Sequence, residues 1–152
     1  MPRSGIVLGL STGTVGSARH LSPSTKRREL ARWKGLRLSA GTKSGDPDPD
    51  IYPLCDRLNA LPGVCTLQSC AGHRNGNVLD SGHLWLWLDR RTAERFDRNA
   101  WALAAFPTIE RVARFYSPSG QEITVIEFQG NERGALATSA DVIRLFFESL
   151  YD

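Results

Sequence analysis

The run Gly82-His83-Leu84-Trp85-Leu86-Trp87-Leu88-Asp89 decides the fold, because it is the most apolar stretch of this 152-residue chain. From 84 to 88 the large apolar side chains fall into two alternating sets, with tryptophans on one face and leucines on the other. A strand that is apolar on both faces is typical of a buried position inside a sheet. The sequence therefore predicts a central strand that is covered on both faces.

The segment before this strand predicts a short strand at 64–69, which runs into a polar loop. The dozen residues 66–77 include a thiol, two hydroxyls, an imidazole, a guanidinium, two Asn amides and two glycines. Loops at strand ends often carry function, because the scaffold holds them in place. We therefore expect the functional site of the chain in this loop.

Helices and further strands are predicted before and after the strand at 84–88. Apolar residues at helical spacing, together with cap residues, predict helices over about 23–34, 49–59 and 92–104, and a last helix after a cap at Thr138 and Ser139. Gly35 is the predicted stop of the first helix. Strands are predicted at 6–10, 109–116 and 122–128, and the last two are joined by a Pro- and Gly-containing hairpin turn. The body, ordered helix-strand-strand-helix-strand-strand-helix, is thus predicted to be an α+β fold with helices packed on a mostly antiparallel sheet.

Charge divides the chain into two parts. Residues 1–45 contain nine Lys or Arg and one acid, which gives +8, whereas residues 46–152 contain ten Arg and fifteen acids, which gives −5. We predict a basic, Gly/Ser-rich N-terminal arm with a short helix at 1–45 and a single α+β domain at 46–152. The arm is expected to contact RNA, to contact the acidic body of a second copy in a homo-oligomer, or to remain a solvated terminal segment.

The cysteine content bears on location and on metal binding. Three cysteines, Cys55, Cys65 and Cys70, fit a reduced cytoplasmic protein better than a disulfide-linked secreted one, and no apolar run is long enough to span a membrane. Cys65 and Cys70 are five residues apart, so on a regular strand they point to opposite faces. Cys70 and His73 have acceptable local spacing for zinc but lack a second close pair of ligands. We therefore assign no metal site.

Six candidate ligand-binding residues lie in the loop region, and they are Ser69, Cys70, Gly72, His73, Arg74 and Asn75. Glycine lets the backbone approach a ligand closely, and an arginine forms bidentate pairs with phosphate. A histidine adds charge-dependent binding or proton transfer near neutral pH. Cysteine is more often a small buried hydrophobe than a nucleophile, so no residue is assigned a catalytic role.

Four short motifs resemble those of the wybutosine-synthesising tRNA methyltransferase family, and they are Lys43-Ser44-Gly45, Asp50-Ile51, Leu58-Asn59 and Thr66-Leu67-Gln68-Ser69-Cys70-Ala71-Gly72-His73. That family has a Lys-Gly-Ser and Asp signature, a helix ending in Ile-Asn and a strand running into Ser-Ser-Cys-Ser-Gly-Arg. The likeness covers about residues 43–88. It implies that Lys43 and Asp50 belong to the site together with Ser69, Cys70 and Gly72. It also implies S-adenosylmethionine as cofactor and tRNA as substrate.

Three functions from different classes follow from these features. The first is a binding protein that holds a nucleotide-like phosphorylated small molecule without turnover, by analogy with viral or bacterial proteins that sequester nucleotide signals. The alternative is a tRNA-modifying, S-adenosylmethionine-dependent methyltransferase, in which the basic arm holds RNA phosphates. A cyclic-nucleotide phosphodiesterase of the two-histidine type ranks last, because only His20 is followed at the second position by Ser or Thr.

Overall fold

The computed structural model describes residues 6–7, 18–38, 49–72, 74–75, 78–79, 81–130 and 133–152. Its strands are β1 (Ile6–Val7), β2 (Val64–Cys70), β3 (Arg74–Asn75), β4 (Val78–Leu79), β5 (Gly82–Leu88), β6 (Ile109–Tyr116) and β7 (Glu122–Phe128). Its helices are α1 (Pro23–Leu38), α2 (Tyr52–Asn59), α3 (Arg90–Ala104) and α4 (Arg133–Ser149), and a 3-10 turn (Pro49–Ile51) precedes α2.

The main sheet has five strands in the order β1-β6-β7-β5-β2. Strands β6, β7, β5 and β2 pair antiparallel, whereas the two-residue β1 pairs parallel with β6 at the edge. The segment between β2 and β5 contains the small antiparallel pair β3–β4. The predicted α+β fold with a mostly antiparallel sheet is therefore confirmed, and β5 is an interior strand.

Helices cover one face of the sheet and form the larger core. The leucines of β5 at positions 84, 86 and 88 are buried there, together with side chains from α2, α3 and α4. Phe96 of α3 stacks on Phe147 of α4 with ring centroids 5.6 Å apart. None of the described helices combines the length and apolar character needed to cross a membrane.

The described residues cover the opposite face of the sheet only in part. Trp87 is buried in a smaller cluster on this face, and its indole Nε1 donates to the Arg19 carbonyl at 2.9 Å. The backbone N–H of Leu21 donates to the Leu88 carbonyl at 2.9 Å, so residues 19–21 pass over this end of β5. At the other end of β5, His83 and Trp85 are half-buried. The prediction of a strand covered on both faces is thus right at Trp87 and wrong at Trp85.

Helix α1 begins where predicted and ends later than predicted. The Thr25 backbone N–H donates to the Ser22 hydroxyl at 3.3 Å, so Ser22 caps the helix. Gly35 does not stop the helix, which continues to Leu38. A glycine inside a helix costs only about 1 kcal/mol, which is too little to end it. Trp33 attaches α1 to the body, since it is buried in the larger core and meets the Tyr52 ring edge-on at 5.6 Å.

The predicted division between arm and domain, at residues 45 and 46, falls within 39–48, outside the described residues. It stays a prediction.

The start sites of α3 and α4 differ from the prediction. Asp89, and not Thr92, is the N-cap of α3, because its carboxylate accepts the Thr92 backbone N–H at 2.8 Å. Helix α4 begins at Arg133, so Thr138 and Ser139 lie inside it and do not cap it. The Thr138 hydroxyl donates to the Gly134 carbonyl at 3.0 Å, and the buried Ser139 hydroxyl donates to the Gln129 carbonyl at 2.8 Å. Both hydroxyls are satisfied within the fold, which removes the preference of these residues for a cap.

Strand β2 contains a bulge, and because of it the prediction that Cys65 and Cys70 point to opposite faces is wrong. Its pairing with β5 shifts register between Thr66 and Gln68, so that Cys65 lies opposite Trp87 and Cys70 lies opposite His83. Residues directly opposite each other in an antiparallel pair share a face of the sheet. Cys65 and Cys70 therefore lie on the same face, because the bulge inserts one extra residue between them.

Candidate functional site

A cleft of about 510 Å³ opens on the helix-covered side, at the end of the sheet where β2 and β7 finish. Four segments form it: the 3-10 turn with the start of α2, the end of β2, the residue pair after β7, and the first turns of α4. Its lining residues are Asp50, Ile51, Pro53, Leu54, Ala71, Gly72, Gly130, Leu136, Ala137 and Ala140. The volume lies within the range of small-molecule sites, which is roughly 300–1,000 Å³.

Two glycines allow the walls of the cleft to form. Gly72 has φ 94°, a left-handed conformation that residues with a side chain rarely adopt, and its N–H donates to the Cys70 sulfur at 3.4 Å. Gly130 lies so close to the end of β2 that a Cβ atom on it would be 2.2 Å from the Ala71 carbonyl oxygen. The ends of β2 and β7 therefore meet only because glycine occupies both positions.

The described lining of the cleft is mostly apolar, with polarity at two places. Among these lining residues Asp50 is the ionisable one, and it is exposed. Leu136 and Ala137 belong to the first two turns of α4, whose first turn contains no acidic residue. The N-terminal end of a helix carries a partial positive charge from its unpaired N–H groups. The cleft thus combines a hydrogen-bond acceptor, small apolar walls and a weakly positive helix end.

The structure brings together some of the predicted site residues and separates others. Asp50 and Gly72 line the cleft together with Ala71. Ser69 lies in β2 on the helix-covered face, opposite Leu84, and its hydroxyl oxygen is buried without a hydrogen-bond partner among the described residues. Cys70 lies on the other face of the sheet, outside the cleft lining.

Four of the predicted residues cannot be placed in the cleft. Lys43 and His73 lie outside the described residues, as do the side chains of Arg74 and Asn75. The backbone of Arg74 and Asn75 forms β3, which begins two residues after Gly72. Their predicted roles stay predictions.

The thiols differ in their surroundings. Cys55 and Cys65 are fully buried, whereas Cys70 is half-buried. Burial raises the pKa of the Cys65 thiol to about 11, and the charge of Glu29 adds to the rise. Cys65 is therefore a protonated core residue at neutral pH. Within the described ranges, no three His, Cys, Asp or Glu side chains are placed to hold a metal ion, and His73 lies outside those ranges.

Sequence reasoning missed the apolar half of the lining. Gly130, Leu136, Ala137 and Ala140 come from a part of the chain about sixty residues or more beyond the loop. Small and apolar residues give no local signal of a binding role, because the same residues occur throughout cores and helices. Only the three-dimensional contact between the ends of β2 and β7 identifies them.

Comparison with known proteins gives no guide to this site. No protein family model, no curated protein and no solved structure matches the chain. The function is therefore argued from the cleft itself.

Proposed function

We propose that this protein binds a nucleotide-like phosphorylated small molecule in the cleft between the ends of β2 and β7, without turnover. The observation that carries the proposal is that Asp50 and Gly72, two residues expected in the site from sequence, line one cleft of about 510 Å³. A cytoplasmic protein of viral or bacterial origin that sequesters a nucleotide signal fits this role. The resemblance in the motifs 43–88 supports the location of the site rather than a reaction.

The walls of the cleft favour a flat ring. Five of its ten lining residues are Gly or Ala, and they are Ala71, Gly72, Gly130, Ala137 and Ala140. Such walls lack long side chains and leave room for a planar group to lie against the backbone. We propose that the nucleobase lies here, where removal of its faces from water provides the apolar part of the binding energy.

The polar groups of the ligand find partners at the rim. The Asp50 carboxylate is an acceptor, which suits the hydroxyl groups of a ribose or an exocyclic amine of a base. A phosphate next to Asp50 would be repelled, so we place the phosphate towards the start of α4, and we keep Arg74 as its predicted arginine partner. The helix end supplies a favourable dipole, and an arginine supplies a bidentate partner.

Isothermal titration calorimetry with AMP, ADP, GMP and cyclic dinucleotides tests this proposal. Asp50→Ala should weaken the binding of the tightest ligand by roughly tenfold to a hundredfold, because a hydrogen bond to a charged group contributes about 1.5–3 kcal/mol. The matched control is Asp141→Ala, which removes an exposed Asp of α4 outside the cleft lining. Equal affinities of Asp50→Ala and the unaltered protein would refute the assignment of Asp50.

A second candidate is methyl transfer to RNA, which the exposed basic face of α1 favours. The side chains of Arg28 and Arg32 are 70% and 62% exposed, and Arg27 and Lys34 are also exposed. Asp50, which lines the cleft, would accept from the ribose hydroxyls of S-adenosylmethionine. When bound, that cofactor supplies the methyl group, while α1 would hold RNA phosphates.

The two candidates differ in their response to salt. RNA held through several phosphates loses affinity steeply as salt rises, whereas a small ligand in a cleft does so much less. Filter binding of tRNA at 50 and 200 mM salt, and transfer of a labelled methyl group to tRNA, test the second candidate. If neither tRNA binding nor methyl transfer is observed, the methyltransferase candidate is refuted and small-molecule binding is the remaining candidate.

A further inference from the structure

The sheet face opposite the helices carries a second depression, of about 340 Å³, that the proposed function does not use. Its lining residues are Gln68, Ser81, Gly82, His83, Trp85 and Glu127. We propose that this depression, here called the sheet-face site, binds the base of a nucleoside by stacking on Trp85. It lies at the same end of the sheet as the cleft, on the other face, and the inference does not rest on the proposed function.

One wall of the depression is aromatic and is formed by Trp85. Trp85 is half-buried, and the Phe115 ring meets it edge-on with centroids 4.9 Å apart and an interplanar angle of 70°. The Phe115 ring therefore packs against the indole, and Trp85 also lines the depression. The His83 ring is tilted by 46° against Trp85 at 6.4 Å, which adds a second ring beside it. Aromatic side chains on an open antiparallel sheet form a surface on which bases stack, with about 1–3 kcal/mol per base.

Polar side chains line the depression together with Trp85. Gln68 lies directly opposite Trp85, and Glu127 lies directly opposite His83, so the pairing places all four on the same face. The Gln68 side chain is exposed, and it offers an amide donor and an acceptor. Glu127 offers a carboxylate acceptor. This set matches the edge of a base, where N–H donors and ring or carbonyl acceptors alternate.

The charge of the depression favours the binding of a neutral base over that of a phosphate chain. Arg111 is paired with Glu127 at 3.7 Å, and the hydroxyl of the lining residue Ser81 donates to the Glu110 carboxylate, so the described residues here carry no excess of positive charge. A phosphate-binding surface needs an excess of positive charge. A neutral base needs only stacking area and hydrogen-bond partners, and the sheet-face site provides both. Nucleoside binding here should consequently change little between low and high salt.

Ligand-observed NMR titration with adenosine, guanosine, cytidine and uridine tests the proposal on the full chain. Each protein is measured with and without the additional substitution Ala137→Trp, which fills the cleft on the other face, so that the substituted form measures the sheet-face site by itself. Gln68→Ala should raise the Kd of the tightest nucleoside about fivefold, because a neutral hydrogen bond contributes about 1 kcal/mol. Glu127→Gln should raise it about as much, because it replaces a hydrogen bond to a charged carboxylate by one to a neutral amide, a difference of about 1 kcal/mol. The matched control Gln121→Ala changes a Gln outside both lining sets and should leave the Kd unchanged.

The outcomes separate this inference from the proposed function. Nucleoside binding that survives Ala137→Trp and is weakened by Gln68→Ala supports the sheet-face site, whatever happens at the cleft. Binding that disappears with Ala137→Trp alone, or that is unaffected by Gln68→Ala and Glu127→Gln, overturns the inference. Equal binding of methyl glycosides and nucleosides would also overturn it, since the site would then select sugars. Trp85→Phe keeps an aromatic ring in the fold, and it should weaken binding less than Gln68→Ala combined with Glu127→Gln.

Discussion

Arg114 is a charged residue that the fold buries almost completely, and acidic partners surround it. Its guanidinium donates to Asp97 of α3, with Nη1 3.1 Å from Oδ2, and its Nε lies 3.0 Å from Oε1 of Glu122. The Nε contact is an ion pair and not a hydrogen bond, because no described residue offers Nε an acceptor in hydrogen-bonding geometry. His20 lies 3.2 Å from the other oxygen of Glu122. These charges connect β6, β7, α3 and the segment before α1.

Removal of Arg114 should therefore destabilise the protein strongly. The variant Arg114→Leu leaves the Glu122 carboxylate, which is 9% exposed, without its guanidinium partner. We expect a loss of about 3–5 kcal/mol in the free energy of unfolding, as for other broken buried pairs. Urea denaturation measures this loss. The double variant Arg114→Leu/Glu122→Leu should recover a large part of this loss. If the free energy of unfolding of Arg114→Leu lies within about 1 kcal/mol of that of the unaltered protein, the predicted cost of breaking the buried pair is contradicted.

Cys65 makes stability depend on pH above neutrality. Burial raises its folded pKa to about 11, whereas the thiol of the unfolded chain ionises near its ordinary value of 9.0. Between these values the unfolded state has released a proton that the folded state keeps, so the free energy of unfolding falls as pH rises. Two pKa units correspond to at most about 2.7 kcal/mol. Denaturation curves at pH 8 and pH 11 should show a larger loss for the unaltered protein than for Cys65→Ala, and equal losses would contradict the raised pKa.

At the scale of elements, the N-terminus of α3 depends on one side chain. Asp89 follows β5 directly and accepts the Thr92 backbone N–H at 2.8 Å. Asp89→Ala should lower the free energy of unfolding by about 1 kcal/mol, which is typical for the loss of an N-cap. Asp141→Ala, inside α4, is a suitable comparison, and thermal denaturation followed by circular dichroism measures both. A change for Asp89→Ala no larger than that for Asp141→Ala would show that another group caps the helix.

Several elements were predictable because their signals are local. The β6–β7 hairpin agrees with prediction at both ends, since Pro118 and Gly120 (φ 84°) restrict the turn to a few residues. The cap at Ser22 with the following proline predicted the start of α1 correctly. The start of α4 was not predictable, because Thr138 resembles a cap in sequence and bonds instead to the Gly134 carbonyl one turn earlier.

The bulge in β2 shows where local reasoning ends. Nothing in residues 64–70 marks an extra residue between Thr66 and Gln68, and the bulge becomes visible only in the pairing with β5. Its consequence is large, because a shift of one residue moves every later side chain to the other face. Ser69 therefore lies on the helix-covered face, and Cys70 lies on the opposite face.

At the scale of the whole molecule, the cleft is assembled from segments that are far apart in sequence. Strands β2 and β7 finish at the same end of the sheet, with β5 between them. This brings together four residues of the cleft lining, and they are Asp50, Gly72, Gly130 and Ala137. The sequence predicted the first two as site residues and the sheet as mostly antiparallel. It contained no signal for the order of the strands, and hence none for the meeting of α4 with the 3-10 turn.

The most direct test of the proposed cleft is a thermal-shift measurement on the unaltered protein and on Ala137→Trp, with the same panel of nucleotides. Ala137 is exposed at the cleft wall, so tryptophan there fills the cleft without entering the core, and Ala31→Trp on the exposed side of α1 is the matched control. A ligand at 100 times its Kd adds about 2.7 kcal/mol. For a chain of this size the melting temperature should rise by about 5–10 °C.

The account predicts this rise for the unaltered protein and for Ala31→Trp, and its loss for Ala137→Trp. The same rise in all three proteins would place the ligand outside the cleft, and no rise in any of them with any nucleotide would contradict the proposed function.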